Sequence, residues 1–211
     1  MQQTESSVSG VTALLFDIGG VVIDVDFNRA FDSWSSSSGE PADVIRSRFE
    51  ADTAFQRYEV GELGDREYFE LLRRALQVDI SEADVLEGWL AVFMEPMPGI
   101  ESLLDKAANQ LPLYALSNSN PTHWHVCLTR YSDLMDYFDN VFISFELGAR
   151  KPEHTAYTYV LDRISRPADQ VLFFDNSAAN VDAALSLGIK AKVASSVLSI
   201  TEELDRLGRR V

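Results

Sequence analysis

Residues 11–17 read VTALLFD, a short and almost unbroken apolar run that stops at a carboxylate. Two later stretches repeat the design, LPLYALS at 111–117 and VLFFD at 171–175. A strand wet on one face would alternate apolar and polar residues. A continuous run suits a strand covered on both faces, as in a parallel sheet packed between helices. VFIS at 141–144 and KAKV at 190–193 are two further strand candidates. Helix-like patterns fill the gaps at 99–109, 121–130, 153–164 and 178–187. This alternation predicts an α/β fold with a doubly wound parallel sheet.

Residues 28–95 interrupt the pattern. They hold no convincing strand and three helix-like stretches, 42–49, 65–76 and 82–93. Ser81, three residues before Asp84, reads as the capping signal of the last. The SSSSGEP run at 35–41 and the MEPMPG run at 94–99 read as loops. The chain therefore divides into a core, 1–27 and 96–211, and a helical insertion, 28–95.

Composition narrows the function classes. A length of 211 residues suits one domain, or a core with a smaller insertion. The hydrophobic fraction is 46%, which argues against a disordered chain. Acids outnumber bases 33 to 18, for a net charge of −15. That balance repels nucleic acid and anionic lipid. Any anionic substrate would need local positive charge. The single cysteine, Cys127, excludes an internal disulfide framework and a Cys-cluster metal site. The opening MQQTESSVSG has neither the basic nor the apolar region of a signal peptide, and no apolar run reaches the length of a membrane span. The expectation is a cytoplasmic protein. Its oligomeric state is left open.

In an open parallel sheet, ligands bind beyond the carboxyl ends of the strands. Asp17, Ser117 and Asp175 stand at three such ends. Polar residues often end strands as turn formers or caps, so each alone has a bland explanation. Together they deliver two carboxylates and a hydroxyl to one edge. The pair of carboxylates suits Mg²⁺, which takes one or two of them together with waters and phosphate oxygens. The glycines of FDIGG, after Asp17, permit a tight turn and a close ligand. Lys151, in ARKPE, lies just before a predicted helix start near Pro152. A cation is disfavoured at a helix N-terminus, which hints at an anionic partner.

The order Asp17, Ser117, Lys151, Asp175 resembles the four motifs of the haloacid dehalogenase superfamily, and the insertion resembles its C1-type cap. FDIGGVVIDVDFNR, YEVGELGD, LSNSN, LGARKPE and VLFFDNSAANVDAA are most similar to a bacterial α-D-glucose-1-phosphate phosphatase subgroup. The resemblance implies a Mg²⁺-dependent phosphatase acting on a small phosphorylated metabolite, such as a sugar phosphate. It implies that Asp17 is the nucleophile and forms an aspartyl-phosphate. Ser117, Asn118 and Lys151 would bind the phosphoryl group. Asp17, the Gly19 carbonyl and Asp175 would hold the metal. Arg29, near the start of the cap, is a candidate substrate ligand.

Two departures from the family pattern stand out. Gly19 replaces a second Asp that serves as general acid and base, help typically worth about 10²–10⁴-fold. Asn176 stands where many relatives have another Asp, which should weaken metal binding. Asp182, a candidate compensating acid seven residues beyond Asp175, falls on a helix and reads as a packing or solvated residue. His123 and His125, two apart on a helix, point to different faces and read as packing or surface residues, as does His154. The cap aromatics read mainly as cap core. Two other functions remain in view. One is a metal-independent haloacid dehalogenase using the same Asp17, which Gly19 permits and the Asp175 charge opposes. The other is a catalytically weak fold with a binding or regulatory role.

Overall fold

The computed structural model describes residues 10–50, 53–194 and 196–208; most of the opening segment read for a leader lies outside them. Strand β1 (Ala13–Phe16) leads into β2 (Ile23–Val25). Five helices follow: α1 (Asn28–Ser38), α2 (Ala42–Glu50), α3 (Ala54–Glu59), α4 (Asp65–Leu76) and α5 (Glu82–Leu90). The chain returns through β3 (Phe93–Pro96) to α6 (Ile100–Ala108) and β4 (Leu113–Ser117). Helices α7 (Pro121–Arg130) and α8 (Ser132–Met135) precede β5 (Asn140–Ile143). Then come α9 (Ser144–Leu147), α10 (His154–Ile164), β6 (Val171–Asp175), α11 (Ala178–Ser186), β7 (Lys190–Val193) and α12 (Val197–Arg206).

All five expected strands form one sheet in the order β5-β4-β1-β6-β7, every pair parallel. The unbroken apolar runs have a direct cause. Leu14 and Phe16 of β1 enter one core cluster, and Ala13 and Leu15 enter the other. In β6 Leu172 and Phe174 face the first cluster, Val171 and Phe173 the second. Successive side chains point to opposite faces, so burial on both requires apolar residues throughout. β1 lies between β4 and β6, which brings the ends of three strands to one rim.

The inserted helices share a buried aromatic centre of Phe31, Trp34, Tyr58, Tyr68 and Trp89. The expected capping box is present. Asp84 N–H donates to Ser81 Oγ, and Ser81 N–H donates to Asp84 Oδ2, both at 3.1 Å.

Three local readings needed revision. The four serines at 35–38 form the last turn of α1, not a loop. Ser36 and Ser38 satisfy their hydroxyls on the carbonyls of Asp32 and Trp34, and Gly39 ends the helix with φ 77°. β2 and β3 pair antiparallel, Ile23 opposite Pro96 and Val25 opposite Phe93, where the chain leaves the sheet and returns. These strands are too short, and too broken by Asp24, Glu95 and Pro96, to show a period. The helix expected to reach residue 93 ends at Leu90. Among the described residues no helix is long and apolar enough to cross a membrane.

Candidate active site

Asp17 caps β1, its N–H bonded to Phe174 O across the sheet. The turn after it is tight, because the Ile18 carbonyl accepts from the N–H groups of Val21, Val22 and Ile23. Gly20 makes the turn possible. Its φ is +79°, and a Cβ there would lie 2.0 Å from Asn176 Nδ2. Asp175 ends β6 at the same rim, and Ser117 ends β4.

Lys151 joins the two carboxylates. Its Nζ lies 2.8 Å from Asp17 Oδ1 and 2.7 Å from Asp175 Oδ2, and the residue is 1% exposed. The anion partner suggested by its place ahead of α10 is thus a pair of carboxylates within the chain. The Asn118 carboxamide holds the lysine in register. Its Nδ2 donates to Lys151 O, and its Oδ1 accepts from Lys151 N–H, both at 2.8 Å. The Asn118 side chain is therefore committed to positioning Lys151.

The electrostatics follow from burial. Burial raises Asp17 to about 6, opposed by the Lys151 ammonium and aided by the Asp175 charge. Burial also works against the charge on Lys151, but the two carboxylates outweigh it and hold the lysine above its ordinary value. One ammonium between two carboxylates leaves one negative charge uncompensated.

The donors fit an anion. Ser117 Oγ has no hydrogen-bond partner among the described residues and faces a cavity, and the backbone N–H of Asn118 beside it is also free. Donors for a divalent cation are fewer. Asp17 Oδ2 and the Gly19 carbonyl accept no hydrogen bond among the described residues. Asp175 is more fully engaged. Ser177 N–H donates to Oδ1, Lys151 to Oδ2, and Asn180 Nδ2 lies 3.0 Å from both oxygens. Asn176 contributes only a neutral carboxamide, packed on Gly20. Mg²⁺ keeps several waters beside one or two carboxylates, so Asp17 with the Gly19 carbonyl suits it. Asp175 would act mainly through its charge.

A cavity of about 170 Å³ opens from this rim toward the inserted helices. Its floor is Ile18, Gly19, Ser117 and Asn118, and its walls include Ile23, Val25, Phe27, Phe55, Val92 and Phe93. Glu59, His123 and Cys127 are titratable side chains that reach it and that sequence reasoning left without a chemical role. Glu59, at the end of α3, is 5% exposed and sits 2.9 Å from Arg150 Nη2. Burial pushes its carboxyl up to about 7, against Arg150 and then Lys151. His123 stacks on Trp89 with ring centroids 4.5 Å apart, and its Nε2 lies 2.9 Å from Trp89 O. Burial lowers it to about 4, so it is neutral.

Arg29 is not brought to this cavity. Its Nε donates to Ala91 O at 2.7 Å on the exposed side of α1. His125, His154 and Asp182 are exposed helix residues. A groove of about 360 Å³ between α4 and α5, lined by Arg66, Glu70, Arg73 and Glu82, is remote from the strand ends.

The inserted helices are tied down next to the site. Tyr58 Oη donates to Asp65 Oδ1 at 2.7 Å and lies 2.8 Å from Thr122 Oγ1 on α7. Gly61, with φ +75°, passes so close to Phe145 that a Cβ would stand 2.4 Å from its carbonyl oxygen. These contacts account for Tyr58, Glu59, Gly61 and Asp65 of the YEVGELGD stretch.

Strand ends that gather such a charge cluster beneath inserted helices define a class of hydrolase. The chain belongs to it: the haloacid dehalogenase-like hydrolase family matches residues 11–188. Among particular relatives, D-ribitol-5-phosphate phosphatase of Bacteroides thetaiotaomicron is 25% identical over 184 residues, covering 84% of this chain and 88% of that one. A phosphorylated carbohydrates phosphatase of Thermotoga maritima is 27% identical over 187 residues, covering 84% and 82%. The solved structure of a Bacteroides thetaiotaomicron HAD family enzyme, in complex with magnesium and inorganic phosphate, has a TM-score of 0.78 at 24% identity. It covers 89% of this chain and 96% of that one, a likeness of fold.

Proposed function

We propose that this chain is a Mg²⁺-dependent phosphatase of a small phosphorylated metabolite, working through an aspartyl-phosphate on Asp17. The observation that carries the reading is the placement of Lys151 Nζ against both Asp17 and Asp175, beside an unpartnered Ser117 hydroxyl at the mouth of a cavity. Phosphoryl transfer asks a protein for in-line positioning and for charge stabilisation at the equatorial oxygens. One carboxylate oxygen of Asp17 would attack phosphorus while the other faces the metal. Lys151, Ser117 Oγ and the free Asn118 N–H supply preorganised donors in a site shielded from water. A bound Mg²⁺, held by Asp17 and the Gly19 carbonyl, would neutralise charge on the phosphoryl oxygens. The named phosphatase relatives support the same reaction class.

The cavity walls speak to the substrate. A dry apolar cavity of roughly 150 Å³ accommodates a benzene ring, so the space here suits a leaving group of similar bulk. Ile23, Val25, Phe27, Phe55, Val92 and Phe93 offer no partner to hydroxyls, and Glu59, Ser119 and His123 are the polar side chains beside them that can. Buried hydroxyls without partners cost about 1–3 kcal/mol each. The mixed lining suits an alcohol that is part apolar and part hydroxylated. The test is phosphate release with Mg²⁺ across sugar phosphates, nucleotides, acyl phosphates and aryl or branched-alkyl phosphates. Asp17→Asn should abolish turnover. The apolar walls also admit the haloacid reading; halide release in EDTA would select it and overturn the phosphatase.

A further inference from the structure

We propose that Glu59, carried by the inserted helices, is the general acid and base of the reaction, in place of the carboxyl that position 19 lacks. The proposal rests on the phosphatase reading and deepens it.

An alcohol leaves phosphorus as a poor leaving group unless a proton reaches its oxygen. Gly19 has no side chain to give one. Three other titratable side chains line the cavity: Glu59, His123 and Cys127. Burial pushes the Cys127 thiol up to about 12, and His123 is neutral with its Nε2 engaged by Trp89 O. Neither exchanges a proton near neutrality. Glu59 does, because burial brings its carboxyl into the neutral range.

The geometry is that of a working group. Glu59 Oε2 is buried without an aligned hydrogen-bond donor, although Arg150 Nη2 stands 2.9 Å away. Charged groups facing it are Arg150 and Lys151 from the loop before α10 and Asp17 from the end of β1, while His123 from α7 shares the cavity uncharged. The adjacent Tyr58–Thr122 contact and the Gly61–Phe145 approach fix the end of α3 against the core and hold Glu59 at the cavity.

The proton balance closes over two steps. In the first, an Asp17 carboxylate oxygen bonds to phosphorus, the ester P–O bond breaks, and the Glu59 proton passes to the departing alkoxide. In the second, a water oxygen bonds to phosphorus, the Asp17–phosphorus bond breaks, and the water proton returns to the Glu59 carboxylate. The sum is ester plus water to alcohol plus phosphate.

The test compares an alkyl phosphate with p-nitrophenyl phosphate, whose leaving group needs no proton. In Glu59→Gln the alkyl ester should lose about 10²–10⁴-fold in kcat. The aryl ester should still give a rapid nitrophenolate burst, followed by slow turnover, because only the second step then needs the base. Equal loss of alkyl turnover and aryl burst would make Glu59 a latch and overturn the proposal; so would unchanged alkyl turnover. If the variant does not fold, the wild-type pH profile decides. Alkyl kcat should fall above about pH 7 while the aryl burst does not, and matching profiles would refute the role. Failure of the underlying phosphatase reading looks different: turnover by Asp17→Asn, or no phosphate release from either ester by the wild type.

Discussion

Replacing Lys151 by Met removes the ammonium and keeps most of the side-chain volume. The structure sets the size of the effect. Lys151 is 1% exposed, and its Nζ serves Asp17 and Asp175, which is wholly buried. Removing one partner of a buried ion pair typically costs about 3–5 kcal/mol, because a buried charge is left uncompensated. At about 2–4 °C per kcal/mol for a chain of this size, the melting temperature should fall by roughly 6–20 °C. The pH dependence carries the finer test. Asp17 already sits at about 6 with the ammonium in place, above its ordinary 3.8. Without it, the Asp17 carboxyl loses the charge that opposes its burial and rises further. A carboxyl raised in the folded state adds stability below its unfolded pKa and loses it as pH climbs through the folded value. The deficit of the variant should therefore be widest near about pH 8 and narrow toward about pH 5. The assay is urea unfolding of both proteins across that range, in EDTA so that no cation replaces the ammonium. A deficit under about 1 kcal/mol at the alkaline end, or one that widens on acidification, would refute the reasoning.

Asn176→Asp restores a negative charge beside Gly20 and should tighten Mg²⁺ by about tenfold or more, since changes next to metal ligands typically move affinity by about 10–100-fold; calorimetric titration reads it. Gly61→Ala forces a side chain into the left-handed region, at about 1–2 kcal/mol, and against the Phe145 carbonyl. Its melting temperature should fall and its KM rise as the cap docks less firmly. Arg29→Ala should leave kcat/KM within about twofold, because surface substitutions away from a site act weakly and the Arg29 side chain bonds Ala91 O, away from the cavity.

The sheet was legible because physics leaves few choices for a strand buried on both faces. VTALLF, VLFF and LPLYAL could be read without knowing their neighbours, and their polar stops named the rim. Lys151 was legible only as a misfit ahead of a helix; that it bridges two carboxylates depends on β1 and β6 lying side by side. Glu59 was not legible. Its meaning comes from burial and from α3 reaching across to Arg150, and a Glu in YEVGELGD looks like any solvated helix residue. Asn180, which lies against both oxygens of Asp175, was hidden for the same reason. β2 and β3 escaped because pairs of three or four residues leave no period, and the SSSS run because serines that bond back to carbonyls one turn earlier can finish a helix.

Mass spectrometry of enzyme quenched in acid during turnover of an aryl phosphate addresses the chemistry at its source. The account predicts a phosphoryl group on the peptide that carries residue 17, absent from Asp17→Asn. Full turnover with that peptide never modified, or a phosphoryl group on some other side chain, would contradict it.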